Sequence, residues 1–187
     1  TYMKQTYFAS DEKIRLATDI AERELSLLSK IDYDNGYSLY IGIPFCPTTC
    51  LYCSFTSYPI ASWAKRVDSY LDALEREIEF AAVKFAGRHL NSIYIGGGTP
   101  TTLEPYQLDR LIRKIKCSFD LSDCLEFTVE AGRPDSITYE KLKVLRQHGI
   151  SRISINPQTM KQETLKIIGR RHTVEDVKDR FHMAREL

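Results

Sequence analysis

Leu39-Tyr40-Ile41-Gly42-Ile43-Pro44-Phe45-Cys46-Pro47-Thr48-Thr49-Cys50-Leu51-Tyr52-Cys53 joins a short apolar run to three cysteines. The run 39–43 reads as a buried strand, and Pro44, which has no N–H to give a ladder, ends it. The cysteines follow at once, with the spacing C-x3-C-x2-C. Three thiolates fall one short of the four ligands that close a structural zinc site. They suffice for three irons of a [4Fe–4S] cluster, which prefers thiolate ligands, and they leave the fourth iron open. A strand that empties into a metal-binding loop is the pattern of an α/β enzyme, so the surrounding elements decide the fold.

Upstream, Ser10 to Ser29 has helical spacing at Ile14, Ala17, Ala21, Leu25 and Leu28, and Asp34-Asn35-Gly36 marks a turn. Downstream, one long amphipathic helix is predicted from Ser62 to Ala86. Its core stripe is Trp63, Val67, Tyr70, Leu71, Leu74, Ile78, Ala81 and Phe85, and Gly87 stops it. A second strand, 92–95, runs into Gly96-Gly97-Gly98-Thr99-Pro100-Thr101, and a helix follows over 105–116. The third strand is 126–130, with a helix over 138–147 closed at Gly149. The fourth is 152–156, with a short helix over 161–168 and a last one capped by Thr173. Four strand–helix alternations imply parallel strands joined by right-handed crossovers. Four units do not close an eightfold barrel. The chain is therefore an open α/β sheet or part of a larger barrel, with residues 1–36 as a helical extension and 37–187 as the α/β domain.

Of the 187 residues, 43% are hydrophobic and 27% charged, a globular composition. Lys and Arg number 26 against 25 Asp and Glu, for a net charge of +1, so bulk charge calls for neither nucleic acid nor an anionic membrane. No apolar stretch approaches the ~20 residues of a membrane span. The N-terminus lacks a signal-peptide pattern. An odd count of five clustered cysteines argues against a secreted disulfide framework and for a reducing, cytoplasmic setting. Cys117 and Cys124 read as packed core cysteines. A zinc scaffold would need one of them as fourth ligand. The chain begins without Met, so it is expected to be a fragment or a processed chain.

In parallel α/β folds the ligand site lies at the carboxyl ends of the strands, and here every suspicious segment follows a strand. Gly96-Gly97-Gly98 lets backbone approach a ligand closely and matches no phosphate-loop spacing. Glu130 ends the third strand, where it either accepts from ligand hydroxyls or an ammonium, or pairs with Arg133. Gln158, past the fourth, both donates and accepts. Arg170-Arg171 could grip a carboxylate, although from spacing alone a basic pair beside a helix reads as surface. His172 has no partner visible in sequence. His89, His148 and His182 read as surface or packing residues.

The triad Cys46-x3-Cys50-x2-Cys53, with Tyr52 before the last cysteine, resembles the signature of radical S-adenosylmethionine (SAM) enzymes. Three longer segments, 40–46, 96–101 and 155–160, resemble the oxygen-independent coproporphyrinogen III oxidase family of HemN type. Segments 46–59 and 130–135 look like its HemZ branch. The likeness runs from about Leu39 to the end of the chain.

The resemblance implies a partial TIM-type barrel, with about four β/α units of an expected six, the rest of the barrel and a C-terminal domain being absent. It implies a [4Fe–4S] cluster on Cys46, Cys50 and Cys53 and SAM on the open iron. Tyr40, Gly97 and Glu130 match positions that contact this SAM. Tyr52, Gly98, Thr99, Gln158 and Arg170 match positions around a second one. The implied reaction, in heme biosynthesis, is oxidative decarboxylation of coproporphyrinogen III propionates to vinyl groups by a 5′-deoxyadenosyl radical. A tetrapyrrole substrate and an electron donor such as flavodoxin or ferredoxin would be the partners.

Two positions depart from the best-studied branch: Gly42 stands for a His, and Phe55 for a fourth cysteine. Relatives with nearly the same motifs include heme chaperones and radical methyltransferases, which stay open as alternatives. With four units of six, the fragment is expected to lack full activity.

Overall fold

The computed structural model describes residues 2–32 and 34–187. Two compact units, residues 1–36 and 37–187, divide the chain. The first holds α1 (Tyr2–Tyr7), which the sequence reading did not anticipate, and α2 (Asp11–Leu28). Ser10 caps α2 by accepting from the Lys13 N–H at 3.3 Å, relieving one of the four unpaired amides at a helix start.

In the second unit, β1 (Gly36–Ile43) leads through Pro44 to β2 (Phe45–Cys46), and β3 (Tyr58–Pro59) closes the cysteine loop. Short α3 (Ile60–Trp63) and a 3-10 turn precede α4 (Val67–Lys84). Then come β4 (His89–Gly97), α5 (Pro105–Ser118), β5 (Glu126–Glu130), α6 (Tyr139–Gln147), β6 (Arg152–Ser154), α7 (Gln162–Ile167) and α8 (Val174–Glu186). The four-stranded parallel sheet has the order β1-β4-β5-β6. Its register sets Ile95 beside Val129 and Glu130 beside Ser154. The two-residue strands β2 and β3 form a separate parallel pair.

Alternation builds the core. Ile41, Ile43, Ile93, Ile95, Phe127 and Val129 point to one face of the sheet and meet Val67, Leu71, Leu74 and Ile78 of α4 and Leu108, Leu111, Ile112 and Ile115 of α5. Each such side chain contributes about 1.5–3 kcal/mol on burial. Across the outer face of α4 and α5, Arg110 bridges Asp72 and Glu75. Exposed pairs of this kind add at most about 1 kcal/mol each.

Two expectations need correction. The helix predicted from Ser62 to Ala86 is interrupted by the 3-10 turn over 64–66, and Trp63 leaves the core stripe. The cause lies in the preceding loop. The Tyr58 N–H donates to the Pro44 carbonyl at 2.8 Å, which fixes where the chain re-enters a helix. Trp63 then packs on the Tyr58 ring, at 4.8 Å between centroids. Cys117 is not a core residue but an exposed one on α5, while Cys124 is half-buried and donates its thiol to the Glu126 carbonyl. Gly87 and Gly149 end their helices at φ +80° and +66°, a left-handed conformation suited to glycine.

Candidate active site

The carboxyl ends of β1, β4, β5 and β6 surround one cavity of about 320 Å³. Cys46, Cys50 and Cys53 line it. So do Tyr40, Tyr52, Gly97, Gly98, Thr99, Glu130, Gln158 and Arg170, every residue singled out for cofactor contact in the sequence.

The glycine turn supports the cysteine loop from below. Gly98 donates its N–H to the Ile43 carbonyl at 2.7 Å, and Thr99 donates to the Phe45 carbonyl at 2.8 Å. A Cβ on Gly98 would stand 2.7 Å from that Phe45 oxygen and 3.0 Å from Cys46 Sγ. Gly97, at φ +105°, has the Ile43 backbone 2.9 Å from its Cβ position. Gly97 and Gly98 are therefore a seat for the cysteine strand, and only a residue without Cβ lets the two segments meet. Thr99 Oγ1 lies 3.3 Å from Cys46 Sγ. Burial pushes the Cys46 thiol up; the Thr99 contact and the Arg133 charge oppose this, and the nearby Cys50 and Cys53 add to it.

All five cysteines are free thiols. As the side chains stand, no three His, Cys, Asp or Glu groups among the described residues converge at coordination distance. Cys53 Sγ turns to the Phe55 carbonyl at 3.9 Å. The donor chemistry nevertheless suits an iron–sulfur cluster: three unpaired thiols share a cavity wall, and Gly98 leaves the space beside Cys46 Sγ. Neither Cys117 nor Cys124 lines the cavity to complete a zinc site.

Across the cavity, Tyr40 and Tyr94 stack at 5.9 Å with an interplanar angle of 11°. The Tyr94 hydroxyl donates to Glu130 Oε1. That bond, together with partial burial and the carboxylate's charge, pushes the Tyr94 phenol up to about 12. Glu130 is therefore held by Tyr94 and not by Arg133, the pairing weighed from sequence; Arg133 forks onto Asp135 instead. Tyr94 was missed, although period-two alternation puts it opposite Ile93 and Ile95, on the outward face that Tyr40 shares.

Arg170 overturns its surface reading: it is 9% exposed. Its Nη2 donates to the Tyr52 hydroxyl at 2.9 Å, while Nε and Nη1 are buried with no protein partner. Two guanidinium nitrogens are thus left without a protein acceptor in a residue of the cavity wall, and a carboxylate has the geometry to pair with such donors. Arg171 is exposed. Gln158 stands at φ +62°, and its N–H is taken by Asn156 Oδ1 at 3.0 Å. His172 is 1% exposed; burial pushes its pKa down, opposed by the Asp135 charge and by contact with the Pro157 backbone. His89 and His148 pair with Asp123 and Asp109 at 2.8 Å each.

A loop of thiols after the first strand, glycines after the second and a carboxylate at the end of the third gather at one end of a parallel α/β sheet, the arrangement of a cofactor-binding α/β protein. The radical SAM superfamily profile matches residues 40–187, and the chain belongs to that superfamily. It is 45% identical over 188 residues to the oxygen-independent coproporphyrinogen-III oxidase-like protein HemZ of Bacillus subtilis, covering 98% of this chain and 38% of that protein. It is 46% identical over 154 residues to the heme chaperone HemW of the same species, covering 80% and 39%. The solved structure of Escherichia coli coproporphyrinogen III oxidase (HemN) superposes with a TM-score of 0.71 at 35% identity, covering 80% of this chain and 34% of that one. The chain thus spans 34–39% of the length of these relatives. The match also shows the fold to be part of a radical SAM barrel. No helix among the described residues is long and apolar enough to cross a membrane.

Proposed function

We propose that the chain is the cluster- and SAM-binding part of a radical SAM oxidoreductase of the coproporphyrinogen III oxidase type. The observation that carries this reading is the single cavity in which three free thiols meet all eight residues matched to SAM contacts. Cys46, Cys50 and Cys53 would hold three irons of a [4Fe–4S] cluster. A reduced cluster there would supply the one electron that breaks a sulfonium C–S bond of SAM, giving methionine and a 5′-deoxyadenosyl radical able to abstract hydrogen.

The chain's own residues supply the rest. Glu130, fixed by Tyr94, accepts from the ligand ammonium. Arg170 receives a carboxylate on its two unpartnered nitrogens, Nε and Nη1. Gly97 and Gly98 line the wall and seat the cysteine strand, and Tyr40 offers a ring face stacked on Tyr94. Tyr52, Thr99 and Gln158 complete the wall, around a second SAM by family likeness. A tetrapyrrole would be the substrate and a low-potential flavodoxin or ferredoxin the electron donor, in the cytoplasm.

A second reading, a heme chaperone that keeps cluster and SAM, is favoured by the 46% identity to HemW and by Gly42 and Phe55. The test is anaerobic reconstitution of the full-length protein, reduction, and addition of SAM with coproporphyrinogen III. Deoxyadenosine with substrate-dependent CO2 release supports the oxidase. Tight heme binding without SAM cleavage supports the chaperone and refutes the oxidase, and a methylated product refutes both.

A further inference from the structure

We propose that Arg133 is a positioning residue for the cysteine loop, and that its hydrogen bond to Cys50 Sγ sets the ease with which a cluster on that sulfur accepts an electron. The inference rests on the cluster reading above and deepens it.

β5 ends at Glu130, and the chain passes Gly132 into a 3-10 turn over Pro134–Ser136. Arg133 lies between them and is 3% exposed. A guanidinium taken from water to that depth needs its donors paired. Nε and Nη2 fork onto the Asp135 carboxylate at 3.0 and 2.6 Å. The remaining nitrogen, Nη1, reaches across 85 residues of chain to the Thr48 carbonyl at 2.9 Å and to Thr48 Oγ1 at 3.0 Å. It also lies 3.6 Å from Cys50 Sγ. Thr48 sits midway between the first two cysteines. One nitrogen therefore ties the backbone of the C-x3-C segment and one of its sulfurs to the end of β5.

Two consequences follow from this geometry. First, these contacts tie the C-x3-C segment to the end of β5 through protein groups alone, so the cysteine positions depend on Arg133. Second, an N–H donor on a ligating sulfur withdraws electron density and stabilises the reduced, more negative cluster; hydrogen bonds to the sulfurs are among the levers on cluster potential. The step concerned is entry of one electron from a low-potential one-electron reductant. Arg133 forms no bond and exchanges no proton in it. Asp135 moderates the effect, since its carboxylate neutralises part of the cation beside the sulfur.

The experiment compares wild type, Arg133→Lys and Asp135→Asn by two readouts. Hydrogen exchange of the peptide 46–53 is followed in the cluster-free chain. The midpoint potential of the reconstituted cluster is followed by redox titration with electron paramagnetic resonance. Arg133→Lys is expected to speed exchange in 46–53 and to shift the potential to more negative values. Asp135→Asn is expected to shift it to more positive values.

A merely structural Arg133 would leave the potential unmoved, so wild-type potentials in both variants overturn the proposal. So does unchanged exchange in Arg133→Lys. If Arg133→Lys assembles no cluster, the Asp135→Asn potential decides: a positive shift supports the proposal and no shift overturns it. A wild-type chain that takes up no iron refutes the cluster reading itself, an outcome distinct from all of these, and loop exchange still decides the positioning role.

Discussion

Gly98→Ala tests the seat beneath the cysteine loop, with Gly132→Ala as its control. A Cβ on Gly98 stands 2.7 Å from the Phe45 carbonyl oxygen and 3.0 Å from both the Ile43 oxygen and Cys46 Sγ. Ordinary contact begins at 3.4 Å, so the shortfalls are 3.4 − 2.7 = 0.7 Å and 3.4 − 3.0 = 0.4 Å. Two of the three atoms are backbone and cannot rotate aside. The segments must separate, which strains Gly98 N–H to Ile43 O at 2.7 Å and Thr99 N–H to Phe45 O at 2.8 Å. Overpacking costs about 1–3 kcal/mol, and a weakened hydrogen bond adds about 0.5–1.5 kcal/mol. The sum, roughly 2–4 kcal/mol, corresponds to a melting point lowered by roughly 5–15 °C for a domain of this size. Gly132 lines the same cavity with nothing within 4 Å of its Cβ position and no left-handed φ. Gly132→Ala is therefore expected to be neutral or to stabilise by about 0.4–1 kcal/mol. Calorimetry reads the melting points, and iron per chain after reconstitution reads the displacement of Cys46 Sγ. If Gly98→Ala melts with Gly132→Ala and takes up the same iron, the account of the glycine turn as a steric seat is wrong.

Other side chains give sharper single readouts. Cys50→Ala removes one of three thiolates and is expected to abolish the cluster's broad visible absorbance, whereas Cys117→Ala, exposed on α5, is expected to keep it. Tyr94→Phe removes the donor that fixes Glu130; at about 1 kcal/mol for the bond, SAM affinity measured by calorimetry is expected to fall roughly fivefold, and an unchanged affinity removes Glu130 orientation from the mechanism. His172 is buried with its pKa below the usual 6.5, so the fold keeps it neutral while the unfolded chain protonates. Its contribution is complete above about pH 6.5 and is lost as pH falls through the unfolded value toward the lower folded one. The urea midpoint is accordingly expected to drop between about pH 8 and about pH 5.5, and to drop less in His172→Gln.

The order of elements was legible because apolar runs, glycine stops and capping threonines are local signals. Thr173 accepts from the third amide of its helix as spacing implied, and Thr138, read as the first residue of its helix, caps it in the same way. The parallel sheet followed from the strand–helix alternation, and the three cysteines singled out by spacing line one cavity. The break after Trp63 was not legible, since it depends on the β2–β3 pairing of residues thirteen positions apart, which leaves no periodic trace. The burial of Arg170 and the Arg133–Asp135 fork were hidden for a related reason. Charged side chains buried in a loop-built site are chosen by partners distant in sequence, and polar loops carry no period to betray them. The charge pattern alone pointed Arg133 at Glu130, three residues away, when Tyr94 from the neighbouring strand had already taken that carboxylate.

Lys141 shows how those distant partners are kept in register. It is 8% exposed on α6, and it donates to the Thr101 carbonyl at 2.7 Å and the Ser136 carbonyl at 3.2 Å. Thr101 Oγ1 and Ser136 Oγ lie 2.6 Å apart beside it. Burial pushes its pKa down, so a charged ammonium at this position is costly in itself. Its two acceptors come from the turn after the glycines and the turn after Arg133. One cation thereby fastens the segment that seats Cys46 to the segment whose guanidinium reaches Cys50. The three thiols stand on a single loop, but the contacts made to the sulfurs of Cys46 and Cys50 come from two later strand ends, and those ends are joined by a lysine bonded to none of the three sulfurs.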